Sequence, residues 1–274
     1  MTQQTSFSQA EFADKKKTTR REKFLARMEE IIPWPSLRAV LEPFYPKGER
    51  GRPPIGLERM LRMYFLQQWY GLADEAIEDA IYDSQAMRGF ARIDLAADGA
   101  PDATTLLKFR RLLETNNLCK GLFHAINADL AARGLMMRQG TLVDATLLAA
   151  PPSTKNKEKQ RDPEMHQTRK GNQWYFGMKK REEIMALNRQ IDWQIAGKRG
   201  QIKKLAEGPE KELLKAVEKA KASVRAFVEH PFHILKNIFR HRKVRYRGLA
   251  KNGHQLHTLF GLANLVIGAR GATA

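Results

Sequence analysis

Cysteine is all but missing, with Cys119 the only one in 274 residues. No disulfide can close within the chain, and a lone thiol in the apolar setting of "NNLCKGLF" reads as a small core residue. Long apolar runs are missing as well: no stretch approaches the ~18 residues of a membrane span. The opening "MTQQTSFSQAEFADKKKTTRREKF" holds no apolar core of a secretion signal. The expectation is therefore a cytoplasmic protein without a membrane partner. There is no G-x-x-x-x-G-K-[ST] loop and no G-x-G-x-x-G after a strand, so a nucleotide-driven motor is not expected. The pairs His230/His233 and His254/His257 have i,i+3 spacing but no thiolates beside them. They read as helical or core histidines rather than zinc ligands.

Acidic residues are the last shortage, at 30 Asp+Glu against 48 Lys+Arg, for a net charge of +18. The imbalance is local. Residues 1–150 carry 21 basic and 19 acidic side chains, whereas residues 151–274 carry 27 and 11. A half-chain that positive attracts polyanions through counterion release, and nucleic acid is the commonest of them. A basic RNA- or ribosome-associated structural protein fits the charge too.

Residues 1–135 read as successive helices broken by "IIPWPS", "FYPKGERGRPPIG" and "DLAADGAPDATT". The stripe Leu57, Met60, Leu61, Tyr64 and Phe65 is a core-facing helical pattern. "GLADEAIEDAIYDSQAMRGFARI" suggests two short helices, but its five acids argue against phosphate contact. "TLVDATLLAA", residues 141–150, is a short apolar run around Asp144 and predicts a buried strand. The polar residues 151–173 predict a solvated loop or disorder, and "WYFGMK", 174–179, a second strand forming a hairpin with the first. Gly208 and Pro209 open a long helix that Pro231 should kink just after Glu229. "RHRKVRYRGLAKN" follows, with Arg240, Arg242, Lys243, Arg245, Arg247 and Lys251 around Tyr246, a composition suited to nucleic-acid contact. "QLHTLFGLANLVIGA" is a closing apolar helix. The expected fold is mainly α with a small β element of about two strands (α+β), divided into 1–135 and 136–274.

On the long helix, Arg225, Glu229 and Lys236 project within about 40° of one another. The apolar positions Leu213, Leu214, Val217, Val224, Val228, Pro231, Leu235 and Ile238 centre roughly 120° away and predict the buried face. The charged stripe then sits at an edge, where it can line a cleft. A carboxylate in a buried strand, Asp144, and one on a separate helix, Glu229, are the type of pair that holds divalent metal ions for phosphoryl transfer.

"TLVDATLLAAPPSTKNKEKQRDPEMHQTRKGNQWYFGMK" with "VRAFVEHPFHILKNIFRHRKVRYRGLAKN" resembles bacterial transposases of the insertion-sequence-five family. "GLADEAIEDAIYDSQAMRGF" and "PDATTLLKFRRLLE" extend the resemblance into the helical region. It implies a ribonuclease-H-like catalytic domain with a DDE carboxylate triad and Mg²⁺ or Mn²⁺. The implied partners are double-stranded DNA at the element's terminal inverted repeats and a second copy or an intact transposase, in the bacterial nucleoid. Arg225, Glu229 and Lys236 match Arg-x3-Glu-x6-Lys of the family's Tyr-x2-Arg-x3-Glu-x6-Lys signature, with Ala222 in place of the tyrosine. By this match Asp144 is the first catalytic aspartate and Glu229 the final glutamate, both as metal ligands, while Arg225 and Lys236 contact DNA phosphates or orient the site.

The family's second aspartate has no counterpart. Lys179 runs straight into "KREE", and Asp162 and Asp192 lack the expected Gly-Tyr neighbours. Three strands, a helix and their turns, on the order of forty residues, are absent at that point. The chain reads as an internally deleted, DNA-binding transposase without catalysis. The alternative is an active enzyme in which another carboxylate substitutes.

Overall fold

The computed structural model describes residues 16–48, 53–95, 99–136, 148–155, 159–170, 172–178 and 208–271, with backbone alone at 170, 178, 210 and 221–229. Two compact units emerge. The first comprises Met1–Arg138, Ile238–Arg240 and Gly253–Ala274; the second comprises Gln139–Asn237 and His241–Asn252. The first unit thus takes in most of the last helix along with the N-terminal helices.

The described helices of the first unit are α1 (Arg20–Ile31), α2 (Trp34–Leu41), α3 (Leu57–Tyr70), α4 (Asp74–Asp83), α5 (Gln85–Ala91), α6 (Ala103–Thr115) and α7 (Leu118–Ala132). From Gly253 onward α9 (Leu249–Gly271) also belongs to it. A capping box starts α1: the Thr19 hydroxyl accepts from the Glu22 N–H, and the Glu22 carboxylate accepts from the Thr19 N–H. At the centre lies α3, whose residues Met60 to Trp69 are all buried, so this helix has no solvent face. Its polar members are therefore obliged to find partners. Arg62, 1% exposed, satisfies all five guanidinium N–H groups. Two Glu29 oxygens accept at 2.5 and 2.7 Å, Glu58 Oε1 accepts twice at 2.8 and 2.9 Å, and the Phe90 carbonyl accepts at 2.9 Å. The guanidinium also lies 3.9 Å from the Trp34 ring centroid.

The closing helix completes this core. Gln255 donates to Gln68 Oε1 at 2.9 Å, Tyr64 to Thr258 Oγ1 at 3.3 Å, and Asn264 to Asn127 Oδ1 at 2.9 Å. Leu259, Leu262, Leu265 and Val266 are buried along the same helix. Gly261 and Gly268 face α7, where a Cβ would press on Ile126 and Leu130, so bare glycine lets the two helices approach. Cys119 is buried, as its apolar setting predicted.

The second unit holds a three-stranded antiparallel sheet in the order β1 (Leu148–Ala149), β3 (Gln173–Met178), β2 (His166–Lys170). Leu148 pairs with Met178, so the predicted pairing of the "TLVDATLLAA" run with the "WYFGMK" run is present at its described end. Gly177 sits against the Leu148 carbonyl so closely that a Cβ would overlap it. The expectation of a loop over 151–173 and of about two strands is corrected: "HQTRK" forms β2, paired with β3 from His166↔Gly177 to Lys170↔Gln173. It escaped notice because an exposed edge strand shows no apolar alternation. Gly171 and Asn172 between the strands are nonetheless residues that two-residue hairpin turns favour.

The long helix α8 runs from Pro209 to His233 with Gly208 as its N-cap. Pro231 lies inside it, as the sequence placed it. The helix continues to His233 and widens into a π turn over Ile234–Ile238. The predicted buried face is also corrected. Leu213, Leu214, Val217 and Ile238 are exposed, Leu213 at 68%, while Lys211 is buried; among the described side chains of this predicted face Leu235 enters a core, beside Ile234, and those of Val224 and Val228 lie outside the described residues. Periodicity located the apolar stripe but carried no information on what covers it.

Replacing Arg62 by Ala should cost the helical unit about 3–5 kcal/mol, because Glu29, Glu58 and the Phe90 carbonyl lose their shared partner. Denaturant unfolding of the full chain followed by tryptophan fluorescence measures this through Trp34; a loss below ~1 kcal/mol would mean the network is dispensable.

Candidate nucleic-acid interface

The basic segment after the π turn is held by what it buries. Residues 240–247 alternate irregularly: His241 and Val244 are buried, while Arg240, Arg242, Lys243, Arg245 and Arg247 are exposed. The Val244 N–H donates to the Ala149 carbonyl at 2.9 Å, and Lys243 bridges Ala149 in parallel, which docks the segment on the edge of β1. The His241 N–H reaches back to the Leu235 carbonyl at 2.8 Å, and Arg240 adopts a left-handed φ of 57°.

Beyond Arg247 the chain enters α9 through a polar clamp. Asn252 donates to the carbonyls of Tyr246 and Gly248, both at 2.6 Å, and its oxygen accepts from the Tyr246 N–H. Gly248 has φ +89°, a conformation that side chains resist. Its N–H donates to Asp162 Oδ2 at 2.8 Å, and the next N–H, of Leu249, donates to the Glu164 carboxylate. Two acids from the polar segment thus serve the N-terminus of α9, where N–H groups lack helical acceptors and negative charge is favoured.

The anticipated phosphate-binding residues divide in this setting. Arg242 gives two of its donors to the fold, Nε to the Lys236 carbonyl at 3.1 Å and Nη2 to Asn237 Oδ1 at 2.9 Å. Lys236 is half-buried on the π turn. Arg240, Lys243, Arg245 and Arg247 are exposed along the docked segment, and Lys251 is exposed in the first turn of α9. Arg225 and Glu229 lie one turn apart on the α8 backbone, their side chains outside the description. Asp144 lies outside the described residues, as does Asp192. Among the described residues no three His, Cys, Asp or Glu side chains are grouped to hold a metal ion. Asp162 and Glu164, the described acids of the polar segment, already accept backbone N–H groups.

A second cationic surface escaped the sequence reading. On α1 and the residues before it, Lys16, Lys17, Arg20, Lys23 and Arg27 are exposed. Arg20, Lys23 and Arg27 fall within about 60° of the helix circumference. Of the acids on α1, Glu22 serves the capping box and Glu29 faces Arg62 and Arg92, while Glu30 is exposed at the far end of the helix. Burial opposes the charge on Glu29, but the hydrogen bonds and charges of Arg62 and Arg92 outweigh it and hold its pKa below the usual value. The near-neutral balance of residues 1–150 hid this stripe, since a count of charges cannot tell paired acids from free ones.

Comparison with known families gives two matches. Residues 12–112 match the family described as "Transposase domain (DUF772)", and residues 174–265 match "Transposase DDE domain". No solved structure matches the chain. No helix among the described residues is long and apolar enough to cross a membrane.

Burial, with the Arg245 charge behind it, pushes the His241 imidazole down to about 4, so at neutral pH this ring anchors the segment without adding to its charge. Below pH ~6.5 the unfolded chain takes up a proton that the folded protein refuses until about pH 4. Stability is therefore complete above ~6.5 and declines as the pH falls through that window, by up to ~3 kcal/mol. Thermal melts at pH 7.5 and 5.0 should show this loss, and His241→Asn should reduce the difference; an unchanged difference would mean that His241 is not the responsible group.

Proposed function

We propose, for a chain that carries both domains and so belongs with the DDE transposases, that it binds double-stranded DNA of its element's ends and does not cut it. The observation that carries this reading is the row of exposed cations on the segment docked by His241 and Val244: Arg240, Lys243, Arg245, Arg247 and Lys251. Their charge falls on fixed backbone, so little ordering is needed when phosphates arrive. The stripe Arg20, Lys23 and Arg27 supplies a second phosphate-binding surface. It spans ~10 Å of helix, the length of about three phosphates on one DNA strand.

Within the DDE transposases we place the chain in the insertion-sequence-five group, on its Arg225, Glu229 and Lys236 spacing. Its catalytic domain would then be ribonuclease-H-like and internally deleted where Lys179 meets Lys180. A divalent metal, Mg²⁺ or Mn²⁺, would supply activation of the attacking hydroxyl and stabilisation of the leaving oxygen. Asp144 and Glu229 are the hard oxygen donors that would hold it. No second aspartate accompanies them. Asp162, one of the acids that might have substituted, instead caps α9, which favours loss of cleavage over a rebuilt site. Arg225 and Lys236 would meet the backbone phosphates. A protein that occupies ends without cutting them would compete with an intact transposase or form mixed oligomers with it.

Counterion release fixes the test. A gel-shift series on end-sequence duplex across salt concentrations should give a steep negative slope of log affinity on log salt. Arg245→Ala with Arg247→Ala should reduce that slope by about 2, and the triple Arg20/Lys23/Arg27→Ala change by about 3. Slopes that ignore both sets of substitutions would remove these surfaces from the interface.

A further inference from the structure

The pair His254 and His257, which read in the sequence as helical or core residues, shares a face of the helical unit with two basic residues of α7. On α9 the two histidines project about 60° apart, and on α7 Lys120 and His124 project about 40° apart. Gly261 lets the helices approach, since a Cβ there would lie 3.0 Å from Ile126 Cδ1 and 3.6 Å from Phe123 Cα. The Phe123 ring meets both imidazoles edge to face, 5.7 Å from His124 and 6.1 Å from His257. Lys120 and His124 are exposed, whereas His254 and His257 are half-buried. His254 Nδ1 is buried without a hydrogen-bond partner among the described residues.

The surroundings bring little negative charge to these groups. Helix α9 contains no Asp or Glu, and the one acid of α7, Asp129, is paired with Arg133 at 2.8 Å. Of the neighbouring helices, α6 brings Glu114, which acts on the buried Cys119, and α3 brings Tyr64, which donates to Thr258. Helix α2, whose Val40 lies against Gly121, brings Arg38, which faces Glu58. Burial lowers the His257 pKa; a backbone bond to Gly253 opposes this, and the charges of His254, Lys120 and His124 reinforce it. Each proton added to the cluster therefore meets like charge, which a bound anion would relieve.

We infer that Lys120, His124, His254 and His257 seat a phosphate of duplex DNA and take up protons as it arrives. The inference rests on the DNA-binding reading above and adds to it a contact that strengthens in acid. Charged imidazoles and an ammonium offer N–H donors alone, the complement of a phosphate's acceptor oxygens. A metal ion would instead need their lone pairs, and among the described residues no three such side chains are grouped to hold one. Linkage makes the effect reciprocal: if DNA tightens proton binding, protons tighten DNA binding by the same factor.

The test is a gel-shift titration of a blunt duplex with the full chain, at fixed salt, at pH 7.5 and 6.0. Affinity should rise roughly 4- to 20-fold at the lower pH, the gain expected when one or two imidazoles hold their protons about tenfold more tightly beside a phosphate. His124→Gln with His254→Gln should lose most of that gain, and the exposed His124→Gln change alone should lose part of it. Calorimetry of the unmodified chain in two buffers of different ionisation heat should show net proton uptake on binding at pH 6.5. Equal affinity at the two pH values, binding without proton uptake, or a gain that survives both histidine variants would overturn the inference and leave duplex binding standing. Failure to bind the duplex at either pH would overturn the DNA reading and this inference together. Polyglutamate bound with the same gain in acid would overturn the assignment to phosphate.

Discussion

Two carboxylates at the mouth of one helix organise the second unit. Asp162 and Glu164 accept the N–H groups of Gly248 and Leu249, where α9 begins and its first amides have no partners of their own. This link ties the polar segment to the end of the basic one. With the burial of Met165, it holds residues 159–170 on one path into β2. It also fixes the exit of the cationic segment, whose entry is fixed by the Val244 bond to Ala149. Between those two ties the exposed side chains stand on constrained backbone. The same link occupies Asp162, which removes from the pool of spare acids a residue that sequence alone left available to a metal.

Commitment of acids recurs in the helical unit. Arg62, Arg92 and Arg110 each face carboxylates, Glu29 and Glu58 for the first two and Asp74 for the third. Asp102 caps α6 through the Thr105 N–H. Acids engaged in this way cannot also neutralise the outer face of α1. The surface is thus more positive in places than its composition suggests, and long-range attraction of a polyanion follows from the arrangement as much as from the net charge.

Much of the fold was legible where one physical signal dominates. The α3 stripe, the Gly208-Pro209 start of α8 and the closing helix announce themselves through periodicity and capping chemistry. Other features depend on distant partners and were not. The strand in "HQTRK" exists because β3 lies beside it, and nothing in its polar residues reports that. The exposure of Leu213, Leu214 and Val217 is a matter of neighbours, and periodicity does not name neighbours. The return of Gly253–Gly271 to the N-terminal helices depends on Gln68 meeting Gln255 and Tyr64 meeting Thr258 across nearly two hundred residues. At the candidate site, the basic cluster was legible from composition. The burial of His241, the structural use of Arg242 and the α1 stripe required the fold. The pairing of Asp144 with Glu229 remains a reading of the sequence, since Asp144 lies outside the described residues.

The functional reading separates two properties that an intact transposase joins. In the proposed reading, affinity for DNA would depend on many distributed cations, each replaceable, and would tolerate the loss of part of a domain. Cleavage depends on a few oxygen atoms placed to within about an ångström, and a missing carboxylate cannot be averaged away. The most direct measurement is strand cleavage: end-labelled duplex that the purified protein has been shown to bind, incubated with Mg²⁺ or Mn²⁺ and resolved on a denaturing gel. A DNA-binding chain with an incomplete carboxylate set leaves the strands intact. Metal-dependent nicks that disappear with Asp144→Ala or Glu229→Ala would contradict it.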